Sequence, residues 1–214
     1  MQISWSGIIK PYANAVVKAI RDIDPDNLII VGTPQWSQKV DEASRDPITG
    51  YRNIAYTLHF YAGSHGQYLR DWASTAMQNG IALFVTEWGA VDASGDGAVN
   101  AGETWAWVDF MKKNGISNAN WALNDKVEGA SALVSGASAT GGWAANQLTA
   151  SGALAKDIIA HWPGATPTPG CTTVTVPATV QAESYCNMSG VQLENTSDSM
   201  AAARTSAISI RAIG

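Results

Sequence analysis

Apolar residues recur along this chain with two alternating periods. Trp5, Ile8, Ile9, Tyr12, Val16, Val17 and Ile20 stand three or four apart, which predicts an amphipathic helix over residues 5–22, with Pro11 tolerated only near a first turn or a kink. Asp24, Pro25, Asp26 and Asn27 end it. Leu28 to Val31 is a short unbroken apolar run before Gly32, the pattern of a strand buried on both faces. Thr33 to Gly50 is polar and reads as loop with a short helix. A second strand is expected over Ile54 to Phe60, and a helix from about Gln67 to Met77 stops at Asn79-Gly80. The third strand, Ile81 to Thr86, carries a carboxylate, Glu87, at its end. After a Gly/Asp/Ser loop, Thr104 is the predicted N-cap of a helix holding Trp105, Trp107, Val108 and Met111. Asn118 to Leu123 gives a fourth strand, and Gly152 to Trp162 a last helix.

Strands alternating with helices predict a parallel sheet covered by helices. A doubly wound sheet and a (β/α)8 barrel both fit. Four strands in residues 1–162 would make about half of a barrel of about 250 residues. Pro163 to Gly170 is a Pro/Thr linker, and the 44 residues after it are too few for an independent domain without staples.

Composition narrows the function. Only 14% of the residues are charged while Trp reaches 9, so the surface is neutral, polar and aromatic, suited to hydroxyl-rich ligands. A net charge of −5 without any Lys/Arg cluster argues against nucleic acid, and no apolar run approaches the roughly 20 residues that span a bilayer, so no membrane is expected as partner. Residues after Met1 lack a basic and then an apolar leader region, so no signal peptide is expected in this chain. Cys171 and Cys186 either close a small loop in an oxidising compartment or stay free.

Parallel strands deliver their C-terminal ends to one rim. His59 and Tyr61 end the second strand, Glu87 and Trp88 the third, and Trp121 the fourth, with Asn124, Asp125, Lys126 and Glu128 just beyond. A carboxylate near a Tyr hydroxyl and a His suits a nucleophile or an acid/base, and exposed Trp faces stack on sugar rings. The same residues fit plainer roles: a solvated strand-end carboxylate for Glu87, a buried hydrogen-bonded imidazole for His59, core positions for Trp36 and Trp121. No metal-ligand spacing, phosphate loop or Ser nucleophile elbow is present.

Four ordered motifs, Leu28 to Gln38 (LIIVGTPQWSQ), Tyr56 to Ala62 (YTLHFYA), Phe84 to Gly89 (FVTEWG) and Asn120 to Lys126 (NWALNDK), closely resemble the C-terminal half of bacterial endoglucanases of glycoside hydrolase family 5. The resemblance covers about residues 5–162. It implies β-1,4-glucan hydrolysis with retention, Glu87 as nucleophile, Tyr61 as its hydrogen-bond partner and His59 as an active-site histidine. It further implies Trp121 as a sugar platform, Trp36 on the leaving-group side, and Lys126 and Glu128 as polar contacts to the sugar. A β-glucan is the implied partner, with mannan or xylan open within the family, and the parent enzyme is expected to be extracellular. The family's acid/base glutamate belongs to an Asn-Glu-Pro motif expected just ahead of this chain's first residues, and Asp22, Asp24 and Asp26 lie at the wrong strand end to replace it. Retaining hydrolysis uses two carboxyl groups about 5 Å apart, so the chain alone is expected to be impaired by about 10²–10⁴-fold. A non-catalytic glucan binder and an inactive truncation product are the alternatives. Half a barrel also exposes two sheet edges and an inner face, which predicts self-association.

Val180 to Glu194 (VQAESYCNMSGVQLE) resembles the opening of a family 6 carbohydrate-binding module, a β-sandwich, in which Glu183 would help hold a structural calcium; no other cofactor is implied. The likeness stops near Ser199. Codons for Met200 to Gly214 read two bases later can spell GGGENVGHIDPGDW, the module's expected continuation, so a frame-shifted tail is expected from about 200.

Overall fold

The computed structural model describes residues 3–162, together with two short strands further on. Trp5–Ile9 forms a π-helical turn that runs into α1, Lys10–Arg21, so the single helix expected over 5–22 is two joined pieces. Pro11 falls in the first turn of α1, where its missing N–H costs nothing. Then follow β1 (Ile29–Val31), a short turn α2 (Pro34–Ser37), α3 (Val40–Ser44), β2 (Ile54–Tyr61), α4 (Gln67–Gln78) and β3 (Ala82–Gly89). The described domain ends with α5 (Ala101–Lys113), β4 (Asn118–Asn120), a 3-10 turn at Ala145–Gln147 and α6 (Ala150–Ala160).

All four strands are parallel, and they lie in the order β1-β2-β3-β4. Right-handed crossovers between successive neighbours put the connecting helices on the same side of the sheet, whereas a doubly wound sheet reverses its order. The arrangement is an arc of a barrel, and the doubly wound alternative drops out. Because β1 and β4 are the ends of that arc, the expectation that β1 is buried on both faces fails: Ile29 and Ile30 are half-buried and only Val31 is fully covered. For the same reason much of the apolar stripe of α1 faces a groove beside β1 of about 540 Å³, with Ile8, Tyr12 and Val16 exposed there.

Several boundaries shift for local reasons. The α5 helix starts earlier than expected because Asn100, not Thr104, is its N-cap: the Asn100 side chain accepts from the Glu103 N–H, while the Thr104 hydroxyl donates to the Asn100 carbonyl at 2.7 Å. Thr149 caps α6 through the Gly152 N–H, which moves that helix forward by two residues. β4 stops at Asn120, where the Trp121 N–H turns back to the Trp88 carbonyl at 2.8 Å.

The core lies between the strands and the helices. Phe60 stacks on Trp107 of α5 with centroids 4.1 Å apart and on Trp88 at 6.0 Å. Trp5 is fully buried, its indole N–H donating to the Asp46 carbonyl at 2.7 Å, so the start of the domain is fastened to the loop after α3. Arg70, largely buried on α4, pairs with Glu103 of α5 and lies over the Trp107 ring. Close packing also explains Gly152, where a Cβ would stand 1.9 Å from the Ala132 carbonyl oxygen.

The linker, Cys171, Cys186, Glu183 and most of the second unit and of its tail lie outside the described residues. Within that unit, β5 (Val191–Leu193) pairs antiparallel with β6 (Ile210–Ala212).

The ring stack makes a direct prediction. Removing the Trp107 side chain leaves a large cavity against Phe60, so Trp107→Ala is expected to cost about 3–5 kcal/mol of stability. Urea unfolding checks it, and a loss under 1 kcal/mol would mean that the stack is peripheral.

Candidate active site

Alternation along β2 puts His59 and Tyr61 on one face and Phe60 on the other. The first face belongs to a cavity of about 410 Å³ at the C-terminal ends of the strands, which also takes in Glu87, His65, Trp36 and Gln38. The Tyr61 hydroxyl donates to Glu87 Oε1 at 2.7 Å. On the other side His59 Nδ1 stands 3.7 Å from Glu87 Oε2, while Nε2 of the same ring is 2.8 Å from the Thr86 hydroxyl. Glu87 is the one carboxylate among the cavity's described lining residues.

Two backbone features shape this corner. Gly89 lies against Tyr61, and a Cβ there would come within 2.4 Å of the phenol ring. Gln35, Trp36 and Ser37 all have positive φ, of 55°, 52° and 61°. Left-handed backbone costs about 1–2 kcal/mol per L-residue, and it persists here because the Ser37 N–H donates to the Thr33 carbonyl at 3.1 Å and the Thr33 hydroxyl to the Thr57 carbonyl at 3.0 Å. The turn swings Trp36 out over the cavity with 82% of its surface exposed. Trp121 is 47% exposed beyond the end of β4. Neither tryptophan is a core residue.

Electrostatics follow from partial burial. Desolvation raises the Tyr61 phenol, and the negative charges of Glu87 and Glu128 raise it further, so it stays protonated and donates. Burial lowers His59 against the opposing pull of Glu87, and burial alone lowers His65. His65 is held at both ends, its Nδ1 accepting from the Tyr61 N–H and its carbonyl from the Trp107 indole, each bond 2.7–2.8 Å long.

The structure thus brings together Glu87, His59, Tyr61 and Trp36 in one cavity. Lys126 and Glu128 form an ion pair with each other after β4 and, like Trp121, are not among the residues described as lining that cavity. Asp24 serves its own turn, accepting from the Asp26 and Asn27 N–H groups. Thr86 and His65 were missed by sequence reasoning. Strict alternation points Thr86 away from Glu87, and nothing in a lone Ser-His-Gly stretch marks His65. No group of three or more metal-ligating side chains suited to an ion occurs among the described residues.

Comparison with known proteins gives a consistent picture. A family model described as cellulase, glycosyl hydrolase family 5, matches residues 1–127. Endoglucanase Z of Dickeya dadantii is 64% identical over 163 residues, 76% of this chain and 36% of that protein. A solved structure from Cytophaga hutchinsonii superposes with a TM-score of 0.71 at 52% identity, over 73% of this chain and 51% of that one. The catalytic domain of a Thermobifida fusca endoglucanase, determined with cellotetraose, gives a TM-score of 0.68 at 32% identity, over 73% of this chain and 53% of that one. The chain therefore spans about a third of that curated relative and about half of these solved structures.

The lowered imidazoles set a pH dependence. Since both histidines resist protonation in the fold, the unfolded chain takes up protons first as pH drops through its ordinary histidine value of about 6.5. Stability is therefore expected to fall as pH goes from 7.5 to 5.5 and to be insensitive to these groups above that range. Urea midpoints across it check the sign; a midpoint that rises on acidification would show that the imidazoles are stabilised as cations.

Proposed function

Because the chain belongs to glycosyl hydrolase family 5, the cellulase family, we propose that its cavity cleaves β-1,4-glucosidic bonds by the retaining route, with Glu87 as nucleophile. The observation that carries this reading is the Tyr61–Glu87 hydrogen bond inside the open cavity. One carboxylate oxygen is held by a donor that stays protonated, which fixes the plane of the group and leaves the second oxygen to attack. In the first step that oxygen bonds the anomeric carbon as the glycosidic C–O bond breaks, and the departing oxygen takes a proton from an acid. In the second, water gives a proton to the conjugate base and its oxygen displaces Glu87, so the configuration is retained. Glu87 cannot fill both roles, and a second carboxyl group about 5 Å away is required.

Trp36, with its exposed indole, is the proposed stacking surface on the leaving-group side, and Trp121 the platform for the sugar at the cleavage point. Lys126 and Glu128, already paired, would hydrogen-bond the sugar on the other side. A β-glucan is the proposed substrate; cellotetraose is the ligand of the Thermobifida fusca relative. An insoluble polymer is met outside the cell, which is where the parent enzyme is proposed to act. Residues 163–170 are read as a linker and 171–214 as a truncated carbohydrate-binding module, on the strength of the motif at Val180 to Glu194.

Two outcomes are expected. Sugar release from carboxymethylcellulose should be weak in the purified chain and abolished in Glu87→Gln. Retention on insoluble cellulose without sugar release from either form would overturn hydrolysis by this chain and leave a glucan-binding cleft. Free edges at β1 and β4 and the open groove beside α1 support self-association. Light scattering should therefore give a mass above that of one chain, and a strictly monomeric mass would exclude it.

A further inference from the structure

The register of β3 changes next to Glu87. Thr57 pairs with Phe84 and His59 with Glu87, so two steps along β2 match three along β3. The other neighbour shows the same surplus, since Val85 pairs with Asn118 and Trp88 with Asn120. An extra residue is thus accommodated in β3 between Val85 and Glu87, a β-bulge, and bulges re-aim side chains. In a regular strand Thr86 and Glu87 would point to opposite faces. Here both reach the same imidazole: Thr86 Oγ1 lies 2.8 Å from His59 Nε2, and Glu87 Oε2 lies 3.7 Å from Nδ1.

We propose that Thr86 is a positioning residue whose hydroxyl donates to His59 Nε2 and so fixes the neutral ring with its proton on Nδ1, facing Glu87. This deepens the proposed function and rests on the reading of Glu87 as nucleophile. A neutral imidazole has one donor and one acceptor nitrogen. An ionised carboxylate only accepts, so the nitrogen facing Glu87 is the one that carries the proton, and Nε2 is left as an acceptor. A threonine hydroxyl can supply that donor, and its branched Cβ restricts the rotamers from which it does so. Thr86 and Glu87 approach the two ring nitrogens, and the other titratable groups among the described residues lining the cavity are Tyr61 and His65. No Lys or Arg is among the cavity's described lining residues. A neutral ring held this way turns its N–H toward Glu87 at 3.7 Å, too long for a hydrogen bond, and so orients the corner without forming a permanent ion pair that would blunt the nucleophile.

The test reads the tautomer directly. Nitrogen-15 correlation spectra of histidine-labelled protein, at pH 7.5, are recorded for the wild type, Thr86→Val and Thr86→Ser. The expected wild-type signal is a proton on Nδ1 of His59. Thr86→Val, which keeps the shape and deletes the hydroxyl, should move the majority to Nε2–H or to an even mixture, and Thr86→Ser should restore Nδ1–H. A wild-type proton on Nε2, or a Thr86→Val spectrum identical to wild type, overturns the proposal. Should Thr86→Val fail to fold, the wild-type spectrum and that of Thr86→Ser still decide it. If the chain hydrolyses glucan, Thr86→Val should lower kcat about tenfold or more with KM little changed, the pattern of lost transition-state interaction. Absence of sugar release would count against Glu87 as nucleophile in this chain while the tautomer result stands.

Discussion

The stack of Phe60 on Trp107 is the contact on which the rest of the domain depends. It lies on the helix side of the sheet, directly behind the rim. Since successive residues of a strand face opposite ways, fixing Phe60 fixes His59 and Tyr61 on the other face. Trp88, the residue after Glu87, is anchored in the same manner by its own stack on Phe60. The polar corner is therefore positioned by an aromatic core on the opposite face of the sheet. A closed path reinforces it: the Trp107 indole donates to the His65 carbonyl, and His65 Nδ1 accepts from the N–H of Tyr61, the residue that follows Phe60.

Around this rigid centre the domain becomes less complete toward both ends of the sheet. β2 and β3 have neighbours on both sides and long ladders, whereas β1 and β4 are three residues each. The apolar groove beside α1 is a consequence of that position, since a helix patterned for burial has only one wall to pack against. Where the sheet is continued on both sides, the site is formed; where it is not, hydrophobic surface stands open. This gradient matches the share of a family barrel that the chain covers.

Strain is concentrated in the turn after β1. Three consecutive left-handed residues hold Trp36 over the cavity, and the hydrogen bonds of Thr33 and Ser37 that sustain them are buried against β2. For the stacking role proposed for Trp36, a turn fixed by these hydrogen bonds leaves less conformational entropy to be lost on binding than a loose loop would.

What the sequence determined by itself was the alternation of strands and helices, the parallel sheet that this implies, and the convergence of His59, Tyr61 and Glu87 on one rim. Those features follow from hydrophobic period and from the polarity of parallel strands, both local properties of the chain. Thr86, which pattern missed, and Trp36, which pattern left open between core and surface, show where this ends. Thr86 lies on the same imidazole as Glu87 only because of a bulge, and a bulge is a relation between strands that leaves no mark in a period-two pattern. Trp36 is exposed, not buried, because of a left-handed turn that needs the Thr57 carbonyl, 24 residues away, to hold it. The Asn100 cap and the open face of α1 were likewise decided in three dimensions, the first by the Asn100 side chain taking the Glu103 N–H while the Thr104 hydroxyl donates back to the Asn100 carbonyl, the second by which strand lies at an edge.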